Sequence, residues 1–167
     1  MRIELRAETS RDTRDIGQAI ARLLRPRDTL SLSGELGAGK TTLVQGIASG
    51  LGIREQVVSP TFTLVREYRG RLHLAHVDVY RLERIQDVVD LGLEEIGDGE
   101  AVLVVEWGDA IDVVLPADRL DVELTSADAD AKSEVRRIVV VADGPSWRPR
   151  WSGLEGAVSA WSVDPCS

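Results

Sequence analysis

Residues 34–42 carry the most specific chemistry in the chain, Gly-Glu-Leu-Gly-Ala-Gly-Lys-Thr-Thr. Gly34, Gly39, Lys40 and Thr41 fill every fixed position of a G-x-x-x-x-G-K-[ST] pattern. Glu35, Leu36, Gly37 and Ala38 lie between them, and Thr42 follows. A loop of this kind can curl until successive backbone N–H groups point at one phosphate. The start of the helix expected at Lys40 adds about half a positive charge there. The Lys40 ammonium suits the β- and γ-phosphates, the Thr41 hydroxyl suits Mg²⁺, and Thr42 can donate to the α-phosphate. The expected ligands are ATP and Mg²⁺.

Two carboxylates are candidates for the metal side. Glu106 directly follows the apolar run 101–105, so a buried strand would deliver it to the carboxyl edge of a sheet. Asp78 ends a second strand, in His76-Val77-Asp78-Val79-Tyr80-Arg81. Trp107 suits a core position, a lid near the nucleotide or a partner contact. His73 and His76 lie three apart with no cysteine or third histidine beside them, so zinc is not expected. On a strand the two would face opposite sides and serve packing or hydrogen bonding.

The elements needed to position these residues are legible. Alternation over 2–7 predicts a strand, and 28–33 a second one ahead of the glycine loop. A helix over 12–24, capped by Thr9 or Ser10, places Ile16, Ala19, Ile20, Leu23 and Leu24 on one face before Pro26. A second helix runs from Lys40 to about Leu51. Strands over 63–68 and 72–79 flank a tight hairpin at Arg69-Gly70-Arg71. A polar helical stretch is expected near 83–96, then strands at 101–105, 120–124 and 135–141. The segment 126–132 reads as a surface turn. The expected fold is α/β: a single P-loop NTPase-like domain over 1–143, its central sheet mostly parallel, flanked by helices and bearing antiparallel edge strands. Residues 144–167, with three of the four tryptophans, read as a C-terminal tail: a flexible end, a strap or a docking segment.

Composition narrows the partners. The chain has 167 residues and a formal charge of -8, so it lacks the basic balance of a duplex-binding domain. Its apolar runs are far shorter than the roughly 20 residues of a membrane span. No apolar signal core follows Met1, and the single cysteine can form no internal disulfide, so a cytoplasmic protein is expected.

Taken in order, 34–42, Ser59-Pro60-Thr61-Phe62-Thr63-Leu64, His76-Val77-Asp78-Val79-Tyr80-Arg81-Leu82 and Glu106-Trp107 resemble the TsaE family over roughly residues 8–140. That family is the bacterial ATPase of tRNA threonylcarbamoyladenosine biosynthesis. Separately from the resemblance, residues 2–141 are taken up by one nucleotide-binding core, so the chain alone is expected to be a weak ATPase that needs a partner. The resemblance implies Mg-dependent ATP hydrolysis in support of adenosine 37 modification with the TsaD and TsaB proteins. It implies that tRNA is held mainly by those partners. By the same resemblance Lys40 and the loop amides hold phosphates, Thr41 and Glu106 hold Mg²⁺, and 59–61 senses the γ-phosphate. Asp78 would act at the γ-phosphate, Trp107 would sit beside the metal, and 13–17 would lie near the base. An arginine late in the sheet is also implied, with Arg136 favoured over its neighbour Arg137. The segment from Gly144 has no counterpart in the resemblance.

Three other readings compete. A GTPase would select guanine with an Asn-Lys-x-Asp loop, and this chain contains no asparagine. A small-molecule kinase would need an acceptor pocket and an arginine-rich lid; Arg66, Arg69 and Arg71 fall instead on the short hairpin. A non-catalytic ATP-binding scaffold would keep the loop without turnover.

Overall fold

A computed structural model describes residues 1–60, 64–82, 84–127 and 133–163. Seven strands form one sheet in the order β1-β7-β6-β2-β5-β4-β3. They are β1 (Arg2–Ala7), β2 (Thr29–Ser33), β3 (Val65–Arg69), β4 (His73–Asp78), β5 (Val102–Glu106), β6 (Arg119–Ser126) and β7 (Arg136–Asp143). Helices α1 (Ser10–Ala21), α2 (Lys40–Gly50) and α4 (Trp151–Val158) contribute to the core on one face. Helix α3 (Ile85–Asp90) and two 3-10 segments, Leu93–Gly99 and Gly108–Val114, close the other.

Side-chain alternation divides the sheet between these two cores. On β5, Val102 and Val104 join the α1/α2 side, while Leu103 and Val105 join the α3 side. A strand covered on both faces has no reason to alternate, which is why 101–105 is uniformly apolar.

The sheet is mixed rather than mostly parallel. Strand β2 is parallel to β5 and β6, and β4 is parallel to β5. The pairs β1/β7, β6/β7 and β3/β4 are antiparallel. Consecutive strands β6 and β7 pair directly, and the remote β1 adds to β7, so half of the pairings are antiparallel.

Helix α1 begins as the capping pattern predicts. The Thr9 hydroxyl accepts from the Asp12 N–H at 3.1 Å, and the Asp12 carboxylate accepts from the Thr9 N–H at 2.9 Å. The stretch expected as one helix near 83–96 is two pieces, α3 and a 3-10 segment, separated at Gly92 with φ 59°. The expected turn at 126–132 lies mostly outside the described residues.

Residues 144–163 pack onto the same core. Trp147 and Leu154 are fully buried, and Trp151 and Val158 nearly so. Arg150 reaches back to Asp28 with bonds of 2.6 and 2.9 Å, and its guanidinium lies 3.9 Å from the Trp147 ring centroid. Ser162 bridges to Leu5 of β1. The segment is therefore a strap across α1 and the sheet edge over its described length. No described helix is long and apolar enough to cross a membrane.

Candidate functional site

Strands β2, β5 and β4 end together: Glu106 pairs with Leu32 on one side and Asp78 on the other. This common carboxyl edge faces the loop between β2 and α2. Gly34 turns there with φ 134°, and a Cβ on it would sit 2.1 Å from the Leu124 carbonyl oxygen. Only glycine fits so close to β6. Gly39, at φ 103°, stands before α2 without any side-chain cap. Leu43 is the residue whose N–H bonds back to Gly39, so the amides of the first turn have no intrahelical acceptor.

Lys40 is 5% exposed, and its ammonium donates to the carbonyls of Gly34 at 2.6 Å and Glu35 at 2.9 Å. It also lies 3.9 Å from the Trp107 ring centroid. Burial pushes its pKa below the ordinary lysine value, against the opposing pull of Glu106, Asp78 and Asp109.

The Thr41 hydroxyl donates to Glu106 Oε1 at 2.8 Å. His76 Nε2 lies 2.7 Å from the same oxygen. Asp78, 5% exposed, accepts from the Ser59 hydroxyl at 3.0 Å and from the Tyr80 N–H at 3.0 Å. Trp107 takes a left-handed backbone, φ 63°, which turns its ring onto Lys40 and toward Tyr80, 4.8 Å away between centroids.

These groups line a cavity of about 490 Å³ that includes Leu36, Gly37, Gly39, Lys40, Thr41, Thr42, Ser59, Asp78, Glu106 and Trp107. Leu36, 80% exposed, stands at its rim. An adjoining cavity of about 130 Å³ is lined by Ser10, Thr13, Gly37, Gly39, Thr42, Glu134 and Arg136. Arg136 donates to the carbonyls of Ala38 at 3.0 Å and Gly37 at 3.3 Å. Its neighbour Arg137 points the other way and grips Glu4. Glu35 is exposed and Ala38 buried beside the loop. Thr61 lies outside the described residues. A separate apolar cavity of about 350 Å³, walled by Ala75, Leu93, Ile96, Leu103 and Val114, contains none of these side chains.

The donor set fits a small hard cation shared with a polyphosphate. Mg²⁺ is held by one or two protein oxygens together with waters and phosphate oxygens, and the Thr41 hydroxyl and the Glu106 carboxylate stand side by side at the cavity. Among the described residues no group of three or more His, Cys, Asp or Glu is assembled for a metal. Mg²⁺ does not need one, because it keeps waters and takes phosphate oxygens.

His76, Tyr80, Ser10 and Glu134 were not among the site residues expected from sequence. A signal existed for His76: it lies two residues before Asp78, hence on the same face of the same strand. Glu134 and Ser10 meet only through folding, with the Ser10 N–H 3.3 Å from the Glu134 carboxylate.

Comparison with known proteins gives a consistent result. The model of the family described as threonylcarbamoyl adenosine biosynthesis protein TsaE matches residues 7–137. A Treponema pallidum protein named tRNA threonylcarbamoyladenosine biosynthesis protein TsaE is 42% identical over 129 residues, covering 77% of this chain and 95% of the relative. A Bacillus subtilis protein of the same name is 43% identical over 131 residues, covering 78% and 82%. A crystal structure of Bacillus subtilis YdiB superimposes with a TM-score of 0.76 at 35% identity, covering 96% of this chain and 95% of that one. That coverage takes in most of the strap.

Proposed function

Because the chain belongs to the TsaE family of threonylcarbamoyl adenosine biosynthesis proteins, we propose that it is the Mg-dependent ATPase supporting adenosine 37 modification of tRNA with TsaD and TsaB. One observation carries the ATPase part: the Thr41 hydroxyl and the Glu106 carboxylate stand side by side at the uncapped start of α2. Such a helix start attracts anions, and the paired oxygens attract a hard cation.

Each residue then has a task. Lys40 leaves the Gly34 and Glu35 carbonyls and bonds the β- and γ-phosphate oxygens, exchanging neutral acceptors for charged ones. The amides of 36–42 hold the phosphates, and Thr42 donates to the α-phosphate. Thr41 and Glu106 hold Mg²⁺, which draws off charge developing on the phosphate oxygens. Asp78 exchanges the Ser59 hydroxyl for the attacking water, and Ser59-Pro60-Thr61 is freed to sense the γ-phosphate. Arg136 braces the loop from beneath through Gly37 and Ala38. The smaller cavity beside Ser10 and Thr13 takes the nucleoside end.

Partner dependence is inferred from the build of the site, which the loop residues Ser59, Tyr80 and Trp107 close on one side. P-loop enzymes of this build gain about 10³–10⁵ in rate from partners that complete the site. Exposed Leu36 and Tyr80 near Trp107 mark the docking face. The test is turnover of ATP and GTP, and complex formation, with and without TsaD and TsaB. Rapid turnover by the isolated chain with no nucleotide-dependent association would refute partner dependence. Absence of ATP binding would refute the whole reading.

A further inference from the structure

His76 is fully buried on β4, directly beneath the carboxyl edge of the sheet. It pairs in register with Val104, as Asp78 pairs with Glu106, so its side chain rises on the same face as both carboxylates. Its Nε2 lies 2.7 Å from Glu106 Oε1, and its Nδ1 has no partner among the described residues. An ionised carboxylate only accepts, so Nε2 carries the shared ring proton.

Glu106 is 4% exposed, and both of its side-chain donors, Thr41 and His76, converge on Oε1. The two donors are not equivalent. A threonine hydroxyl rotates freely, so its bond to Glu106 fixes the carboxylate only loosely. The imidazole is fixed in the core and has nowhere else to turn. Whichever way the Thr41 hydroxyl turns, His76 keeps the carboxylate from swinging about its own axis.

We propose that His76 is the positioning residue of the Glu106 carboxylate: its Nε2–H pins Oε1, so that Oε2 and the Thr41 hydroxyl are offered together to the cation of bound Mg-ATP. This rests on the Mg-ATP reading above. His76 itself is no ligand, because its bonded nitrogen is already turned to Glu106 and its other nitrogen is enclosed in protein. A second residue holding a metal ligand in place is the arrangement whose loss lowers metal affinity by about 10–100-fold.

The test is Mn²⁺ titration of the ATP-loaded protein by electron paramagnetic resonance, for wild type, His76→Leu and His76→Gln. Calorimetric ATP binding in EDTA runs alongside. Removing the donor in His76→Leu is expected to weaken Mn²⁺ binding by about 10–100-fold, with ATP affinity in EDTA changed by less than about threefold. His76→Gln places an amide N–H near the position of Nε2 and is expected to recover most of the loss. Equal impairment in both variants, or Mn²⁺ binding in His76→Leu equal to wild type, overturns the proposal. The wild-type protein supplies a check that needs no variant to fold. Nitrogen-15 spectra should show the ring proton on Nε2, protected from exchange and shifted by Mg-ATP; a proton on Nδ1 alone overturns the assignment. Wild type that binds ATP without Mn²⁺ removes the metal reading together with this one, a result distinct from failure in the variants alone.

Discussion

Replacing Arg150 by methionine tests whether the chain beyond β7 belongs to the cooperative core. Arg150 and Asp28 form a two-pronged pair at 2.6 and 2.9 Å, with side chains only 4% and 8% exposed. Arg150 also donates to the carbonyls of Leu23 at 2.9 Å and Ser146 at 3.0 Å. Without it, the Asp28 carboxylate keeps the Arg25 N–H at 2.7 Å but loses its countercharge. Breaking one side of a buried pair costs about 3–5 kcal/mol. Against a typical total of about 5–15 kcal/mol that is a large fraction. At about 2–4 °C per kcal/mol for a domain of this size, Tm should fall by roughly 6–20 °C. Changing Asp28→Asn in the same protein removes the stranded charge and should recover much of the loss, because the penalty lies in the unpaired ion rather than in the missing pair. Scanning calorimetry on the two singles and the double completes the cycle. A shift under about 2 °C for Arg150→Met would refute the reasoning, since it lies below even the smallest expected loss.

The other predictions concern the site and one acid-sensitive contact. Lys40→Ala should weaken ATP binding by about 10²–10⁴-fold, from two charge-assisted bonds of about 1.5–3 kcal/mol each; unchanged affinity by calorimetry would remove the phosphate assignment. Thr41→Ala and Glu106→Ala should lower partner-stimulated turnover and raise the Mg²⁺ requirement, with circular dichroism unchanged; wild-type turnover in both variants would refute their metal role. Hydrogen exchange around Ser59 should differ between ADP and a non-hydrolysable ATP analogue, because the Ser59 hydroxyl is held on Asp78 at 3.0 Å and must release it; identical exchange would count against that release. Burial alone would raise the Asp12 carboxyl, but hydrogen bonds from Thr9, the Trp161 indole and the Glu8 and Thr9 amides outweigh it and hold the pKa below the ordinary range. Its stabilising effect is therefore complete above the ordinary Asp range and lost as pH falls through the depressed value. Tryptophan fluorescence should report release of Trp161 in that acid window, and Asp12→Asn should abolish the transition.

Much of this molecule is legible where the determinants are local. The loop 34–42 fixes both its own turn and the start of α2, and Thr9 announces α1 through a capping box whose two members, Thr9 and Asp12, lie three positions apart. The uninterrupted apolar run of β5 reveals burial on both faces. Pairing direction is harder, because it depends on which strand becomes a neighbour: nothing near Arg2 shows that β1 will add antiparallel to β7. The same holds for His76. Strand alternation places it with Asp78, but its bond to Glu106 requires the β4/β5 register. Adjacent Arg136 and Arg137 are indistinguishable in one dimension, and the pleat separates them, one to the loop and one to Glu4. The strap is one of three readings that the sequence leaves open, because Gly144, Pro145 and Pro149 read as loop punctuation. Its apolar residues Trp147, Trp151, Leu154 and Val158 nevertheless recur at helical spacing.

Helices α1 and α2 touch through glycine, backbone against backbone. A Cβ at Gly46 would fall 2.0 Å from the Arg14 carbonyl oxygen, and one at Gly17 would fall 2.4 Å from that of Leu43. At these points the helices approach backbone to backbone, with Ala21 against Gly50 as a further close contact, and together they form a single plank. Both amino-terminal ends of that plank reach the same cavity wall, at Ser10 and Thr13 on one helix and at Gly39 and Thr42 at the head of the other. The cleft is therefore a vice with one fixed jaw. The opposite jaw is loop-built, from Ser59, Tyr80 and the left-handed Trp107. The two walls thus differ in build, helix ends on one side and loops on the other, and a partner gripping the loop wall would touch the site without engaging the helix pair.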